Sequence, residues 1–179
     1  MSITPIGLRT ADKTGLSEMV DVMDAGTRSA LMSRIQAKDT KPELIIRRLL
    51  WRRGFRFRLH GRKLPGKPDL VLPKWGAVVL VHGCFWHRHE GCPYFRLPKT
   101  RADFWDNKLG RNRERDAATV ATLGGMGWRV AVVWECAIRT DHLAVVEQLS
   151  AWLTSGSDTI QIEALDGVIV QKAIPFATV

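Results

Sequence analysis

Pro65-Gly66-Lys67-Pro68-Asp69-Leu70-Val71-Leu72 runs through Pro73-Lys74-Trp75-Gly76 into Ala77-Val78-Val79-Leu80-Val81-His82. Two apolar runs split by a Pro/Gly turn predict two strands, Asp69 to Leu72 and Ala77 to His82, joined by a hairpin loop. The second run is rich in β-branched residues and has no polar interruption before His82, as a central strand buried on both faces requires. The first opens on a carboxylate. A buried strand seldom begins with an acid unless the acid caps a turn, here beside Pro68, or binds something. In the second case Asp69 is a candidate ligand of Mg²⁺, a hard cation that takes oxygen donors.

Upstream of this hairpin, Asp39-Thr40-Lys41-Pro42-Glu43 has the composition of a helix start. Asp39 or Thr40 caps, Pro42 suits an early helical position and Glu43 favours the positive end of the dipole. Leu44, Ile45, Leu49 and Leu50 extend an apolar stripe to about Arg53, and Gly54 stops it. A shorter helix is expected over Arg28 to Ala37. Downstream, the pattern predicts a long helix from Arg101 to about Leu123 ended by Gly124-Gly125, a buried strand over Trp128 to Trp134, and a helix over His142 to Leu153. Ile160 to Val170 reads as poorly defined edge structure. This order implies an α/β fold, a central mixed sheet with helices on both faces. We expect a flexible tail over 1–24, one catalytic domain over 25–155 and a poorly defined segment over 156–179.

A chain of 179 residues suits one domain. Its formal charge of +9 points to a polyanionic partner. The basic residues cluster: Lys41, Arg47, Arg48, Arg52, Arg53, Arg56, Arg58, Arg62, Lys63 and Lys67 face only one acid, Glu43, in the same stretch. The arginine fork suits phosphate oxygens. Three cysteines are too few and too odd in number for a disulfide framework. With no apolar signal segment and no long apolar run, the expectation is a reduced cytoplasmic protein, nucleoid-associated and without membrane contact.

Between His82 and Cys92 lies a dense set of metal donors. Cys84, His89 and Cys92 are near enough in sequence to hold one Zn²⁺, and Cys136, just beyond the strand ending at Trp134, is the expected fourth donor of a tetrahedral structural site. Four protein donors leave no open position for catalysis. His82 and His87 stand outside this cage. An acid-bearing helix, a Pro-Asp strand and a second strand with polar residues at its end resemble the PD-(D/E)xK nuclease plan. The lysine of that plan is missing: Val79-Leu80-Val81-His82 stands in its place, so another base must replace it.

Longer stretches carry a closer resemblance. Thr27-Arg28-Ser29, Met32-Ser33-Arg34-Ile35, Asp39-Thr40-Lys41-Pro42-Glu43, Leu64-Pro65-Gly66-Lys67-Pro68-Asp69, His82-Gly83-Cys84-Phe85-Trp86-His87, Phe104-Trp105, Glu114-Arg115-Asp116, Gly127-Trp128-Arg129-Val130 and Val133-Trp134-Glu135-Cys136-Ala137 follow one another as in Vsr-type very-short-patch repair endonucleases. The chain resembles that family from about Asp21 to Leu153. The resemblance implies a restriction-endonuclease-like fold and an enzyme that nicks one DNA strand 5′ to the thymine of a T·G mismatch, the product of 5-methylcytosine deamination. It implies that Asp69 and the backbone carbonyl of Val81 bind Mg²⁺, that Glu43 and His82 hold metal-bound waters, that His87 is the general base, and that Asp116 orients its ring. It further implies that Phe85, Trp86 and Trp105 stack into the duplex beside the mismatch while Met32 probes from the minor groove. The loop from His87 to Cys92 is one residue longer than the family pattern, which leaves His87 and His89 as rivals for the zinc. His89 is chosen because His87 is better placed beside Trp86 for chemistry.

The implied partners are double-stranded DNA with a T·G mismatch, a cytosine-5 DNA methyltransferase and a repair polymerase, with the enzyme acting as a monomer. Two rivals are a restriction or homing nuclease of the same fold and a zinc-stabilised DNA-binding module without catalysis. Glu43, Asp69, His82, His87 and Asp116 together argue against the second.

Overall fold

The structure is a computed structural model that describes residues 38–174. The expected helix over Arg28 to Ala37, with Met32, lies outside the described residues. Helix α1 spans Lys41–Arg52. Thr40 and Glu43 form a reciprocal cap at its start: the Thr40 hydroxyl donates to Glu43 Oε1 at 2.8 Å and the Asp39 N–H to Oε2 at 3.0 Å. This satisfies donors that a helix N-terminus otherwise leaves bare. Ile46 and Leu50 are fully buried, each contributing about 2 kcal/mol of apolar burial.

Six strands follow: β1 (Arg58–Leu59), β2 (Leu70–Leu72), β3 (Ala77–His82), β4 (Arg129–Trp134), β5 (Thr159–Leu165) and β6 (Val168–Lys172). Helix α2 (Ala102–Gly125) connects β3 to β4, and helix α3 (Glu135–Thr154) connects β4 to β5. The strands lie in chain order in one sheet. β3, β4 and β5 are parallel, and the outer pairs are antiparallel. The sheet is therefore mixed, as expected. Helices α1 and α3 close one face over Leu70, Val79, Ala131, Val133 and Ile162. Val120 and Leu123 of α2 cover the other, over Val78, Leu80, Val130 and Val132. The alternation along each strand decides which core a residue joins.

Beyond the short added strand β1, three features differ from the sequence expectation. The poorly defined segment after residue 156 contains β5 and β6. β5 is an inner strand, paired with β4 on one side and β6 on the other; Ile160 and Ile162 bury into the core while Asp166-Gly167 makes the tight turn, both at positive φ. Second, α3 begins at Glu135 rather than His142. Asp141 breaks it at φ −155°, and its carboxylate accepts from the N–H groups of Leu143 and Ala144, capping the second half. The periodicity registered that half; the preceding turns carry Cys136. Third, Arg47 leaves the basic footprint: it is buried and paired to Glu43 and Asp39.

The turn before Asp69 depends on one glycine. Gly66 has φ 65°, and a Cβ there would collide with the methyl of Thr119 on α2. No helix among the described residues is long and apolar enough to cross a membrane.

Candidate active site

The carboxyl ends of β3 and β4 meet at the pair His82 and Trp134. Three groups of polar side chains gather around this point. In the first, donor atoms of Glu43, His60 and Asp69 all lie within 4.8 Å of one another. Asp69 closes the loop into β2, and its Oδ2 accepts the Val81 N–H at 2.7 Å. Burial lifts the Asp69 pKa to about 6; the Val81 N–H works against that shift and the Glu43 charge adds to it. Placing a carboxylate where its charge is disfavoured makes a site that a cation would relieve. Glu43 is buried and heavily engaged, taking Arg47 at 2.6 Å in addition to its capping bonds.

The second group is His82, His87 and Asp116, with donor atoms again within 4.8 Å. His87 Nδ1 lies 2.6 Å from Asp116 Oδ2, which leaves Nε2 as the ring atom able to accept a proton. The His82 ring stacks on His87 at 3.9 Å and 6°. Burial, and then the neighbouring His87 and His89, hold the His82 pKa well below its usual value, so this ring is neutral.

The third group is Cys84, His89, Cys92 and Cys136, all buried, with donor atoms within 4.8 Å. His89 turns Nδ1 toward Cys136 Sγ, 3.5 Å away, and Nε2 to Glu163 Oε2 at 2.7 Å. Its ring stacks on Trp134 at 4.0 Å. A hydrogen bond with the Cys84 thiol holds the Cys136 pKa well below its usual value, with burial opposing and His89 assisting, while the same hydrogen bond pushes Cys84 up. Burial opposes charge on His89, but Cys136 and Glu163 outweigh it and raise its pKa. Three thiols this close cannot all ionise unaided, and a bound cation is what allows it. The Cys₃His set is thus compatible with a zinc site, with sulfur and nitrogen donors of the type zinc takes.

Phe85, Trp86 and Trp105 form a half-buried cluster beside these groups, with ring centroids 5.0 to 6.2 Å apart. The Lys108 ammonium sits 5.2 Å from the Trp105 ring and 5.7 Å from the Trp86 ring. Exposed cations continue along α2 at Arg111 and Arg115.

His60 and Glu163 belong to these groups but were not singled out from the sequence. His60 is hidden among the arginines that precede it. Glu163 carried little signal, because Ile160-Gln161-Ile162-Glu163-Ala164 alternates apolar and polar residues and gives the acid an ordinary outward position. Its pairing with Lys172 of β6 requires the hairpin that the sequence reading left undefined.

A family model described as DNA mismatch endonuclease Vsr matches residues 20–93. The DNA mismatch endonuclease Vsr of Escherichia coli is 42% identical over 150 residues, 81% of this chain and 95% of that one. The Type II nicking enzyme V.XorIIP of Xanthomonas oryzae pv. oryzae is 49% identical over 118 residues, 66% of this chain and 86% of its own. The Type II nicking enzyme V.NmeAIP of Neisseria meningitidis is 42% identical over 121 residues, 68% of this chain and 86% of its own. With this identity over 81% of the chain and 95% of a relative, the chain belongs to the Vsr family of DNA mismatch endonucleases.

Proposed function

We propose that this enzyme nicks one strand of duplex DNA 5′ to the thymine of a T·G mismatch, in the repair of deaminated 5-methylcytosine. The observation that supports this most is the His87–Asp116 pair at 2.6 Å, sharing the end of β3 with the half-buried Asp69 carboxylate and flanked by aromatic rings. Asp116 holds the Nδ1 proton of His87, so Nε2 takes the proton of the attacking water as the water oxygen bonds to phosphorus. The bond from phosphorus to the leaving sugar oxygen then breaks. Mg²⁺, held by Asp69 and the carbonyl of Val81, would offset charge gathering on the phosphate and the leaving oxygen. Glu43 and His82 would hold water molecules in its shell.

Zn²⁺ bound by Cys84, His89, Cys92 and Cys136 would be structural, tying the loop after β3 to the start of α3. Phe85, Trp86 and Trp105 would enter the duplex beside the mismatch; a T·G wobble lowers the unstacking cost of a few kcal/mol. Met32 would approach from the minor groove. The exposed cations of residues 41–67 would bind phosphates in a salt-sensitive manner. We infer a restriction-endonuclease-like catalytic domain beginning near residue 25 behind an N-terminal tail. We also infer a monomer, a cytoplasmic location with the DNA, and a functional link to a cytosine-5 DNA methyltransferase and a repair polymerase.

The test is single-turnover nicking of two duplexes that differ only in T·G against C·G at one position, with Mg²⁺ present. We expect nicking of the T·G duplex and little of the other. Equal nicking of both would make this a nuclease with another target, and tight binding without nicking would make it a DNA-binding module.

A further inference from the structure

We propose that His60 is a direct ligand of the metal ion at Asp69, through a ring nitrogen, so that the site takes a first-row transition ion such as Mn²⁺ in preference to Mg²⁺. The proposal rests on the reading of Asp69 as the metal anchor and deepens it. His60 contributes a nitrogen within 4.8 Å of carboxylate oxygens of both Asp69 and Glu43. The backbone holds it there. β1 pairs with β2 up to Leu59 and Leu70, and the next residue, His60, donates its N–H to the carbonyl of Asp69 at 3.3 Å. The chain then turns through His60 itself at φ 49°, a left-handed conformation that a side-chain-bearing residue seldom adopts. The Gly61 N–H closes the loop onto Pro68. The imidazole is half-buried, and its Nε2 is 3.4 Å from Asp39 Oδ1.

The other candidate donor is less available. Both oxygens of Glu43 already accept hydrogen bonds, from Thr40, from the Asp39 N–H and from Arg47. Those bonds suit a carboxylate that steadies water rather than one that binds a cation directly. An imidazole nitrogen supplies a donor beside the half-buried Asp69 carboxylate. The donor type then decides the ion: Mg²⁺ favours an all-oxygen octahedron, while imidazole raises the affinity of Mn²⁺, Fe²⁺ or Co²⁺ over it. The alternative is that His60 serves only as a partner of Asp39 at the start of α1.

The full chain, carrying its zinc and freed of Mg²⁺, is titrated with Mn²⁺, and bound Mn²⁺ is followed by electron paramagnetic resonance with electron spin echo modulation. We expect a ¹⁴N coupling from a directly bound imidazole in the unaltered protein. In His60→Gln that coupling disappears and Mn²⁺ binds roughly 10- to 100-fold more weakly, while Mg²⁺ affinity changes less. Asp69→Asn, run in parallel, loses Mn²⁺ altogether. If Asp69→Asn keeps Mn²⁺, the reading of Asp69 as anchor fails. If Asp69→Asn loses it but His60→Gln keeps both the coupling and the affinity, His60 is a partner of Asp39 and the proposal alone is overturned. Absence of any ¹⁴N coupling in the unaltered protein overturns it without recourse to a variant.

Discussion

The cysteine cage and the acidic cleft stand at the ends of the same two parallel strands, yet their side chains are committed in opposite ways. In the cage every donor is buried, and both His89 nitrogens are assigned, one toward Cys136 and one to Glu163. In the cleft His87 commits Nδ1 to Asp116, and that pair leaves Nε2 uncommitted. Asp69, Asp116 and His87 are only partly covered. A closed donor set stabilises a fold, whereas catalysis needs a vacant position and a group whose charge is not yet satisfied. The two regions adjoin: His82 stacks on His87, His89 stacks on Trp134, and Trp134 meets His82 edge-on at 5.3 Å. The cage therefore braces the rings that line the cleft.

The strongest test of this division is Cys136→Ser. Structural zinc can be worth on the order of 10 kcal/mol of folding energy, so the variant should lose its zinc and its cooperative thermal unfolding together. Metal analysis finding one tightly bound zinc per chain in that variant would dissolve the distinction between cage and cleft.

The cleft should respond in the other direction. Asp69→Asn should cut nicking by about a thousandfold or more, the scale of several kcal/mol that a catalytic cation supplies. The same change should stabilise the Mg²⁺-free protein. The Asp69 pKa is raised by burial from 3.8 to about 6. Its favourable contribution is complete below the unfolded value and is lost as pH rises through about 6, so at pH 8 the ionised carboxylate burdens the fold by up to about 3 kcal/mol. Urea unfolding should show Asp69→Asn more stable than the parent at pH 8, with most of the gain gone at pH 4. A variant that is less stable at pH 8 would mean that Asp69 supports the fold as the cage does.

Glu163→Gln sharpens the comparison from within the cage. The carboxylate fixes His89 so that Nδ1 faces the sulfurs. Its loss should weaken zinc affinity by roughly 10- to 100-fold, measured by chelator competition, with the fold retained at saturating zinc. Unchanged affinity would mean that Glu163 serves only its ion pair with Lys172.

The smallest expected effect is at the lip between the regions. Trp86→Ala should lower the preference for T·G over C·G by about tenfold, the scale of one lost base stack, while general DNA affinity and its salt dependence persist. The same T·G to C·G ratio as the parent protein would make Trp86 packing rather than a wedge.

Much of this architecture was legible in the sequence because the relevant signals are local. Ala77 to His82 announced a buried strand, and the Pro/Gly turn at residues 73–76 announced its hairpin. Thr40 and Glu43 announced a helix start. The donors Cys84, His89 and Cys92 are near neighbours in the chain, and so are His82 and His87. β1 was missed because two exposed residues, Arg58 and Leu59, carry no period. The first turns of α3 were missed because Asp141 interrupts the helix.

What the sequence by itself determined was chemical inventory and local form: which residues can bind a metal, where an acid opens a strand, and which runs must be buried. The tertiary structure decided the joins. It brought Glu163, paired with Lys172 across the β5–β6 hairpin, to His89, which lies 74 residues before Glu163. It carried Asp116 on α2 to His87, turned Arg47 inward onto Glu43, and set His60 beside Asp69. Periodicity reports the face a residue presents to its own helix or strand. Which distant side chain meets it there depends on sheet order and helix crossover, and these are settled by burying both faces of the whole sheet at once.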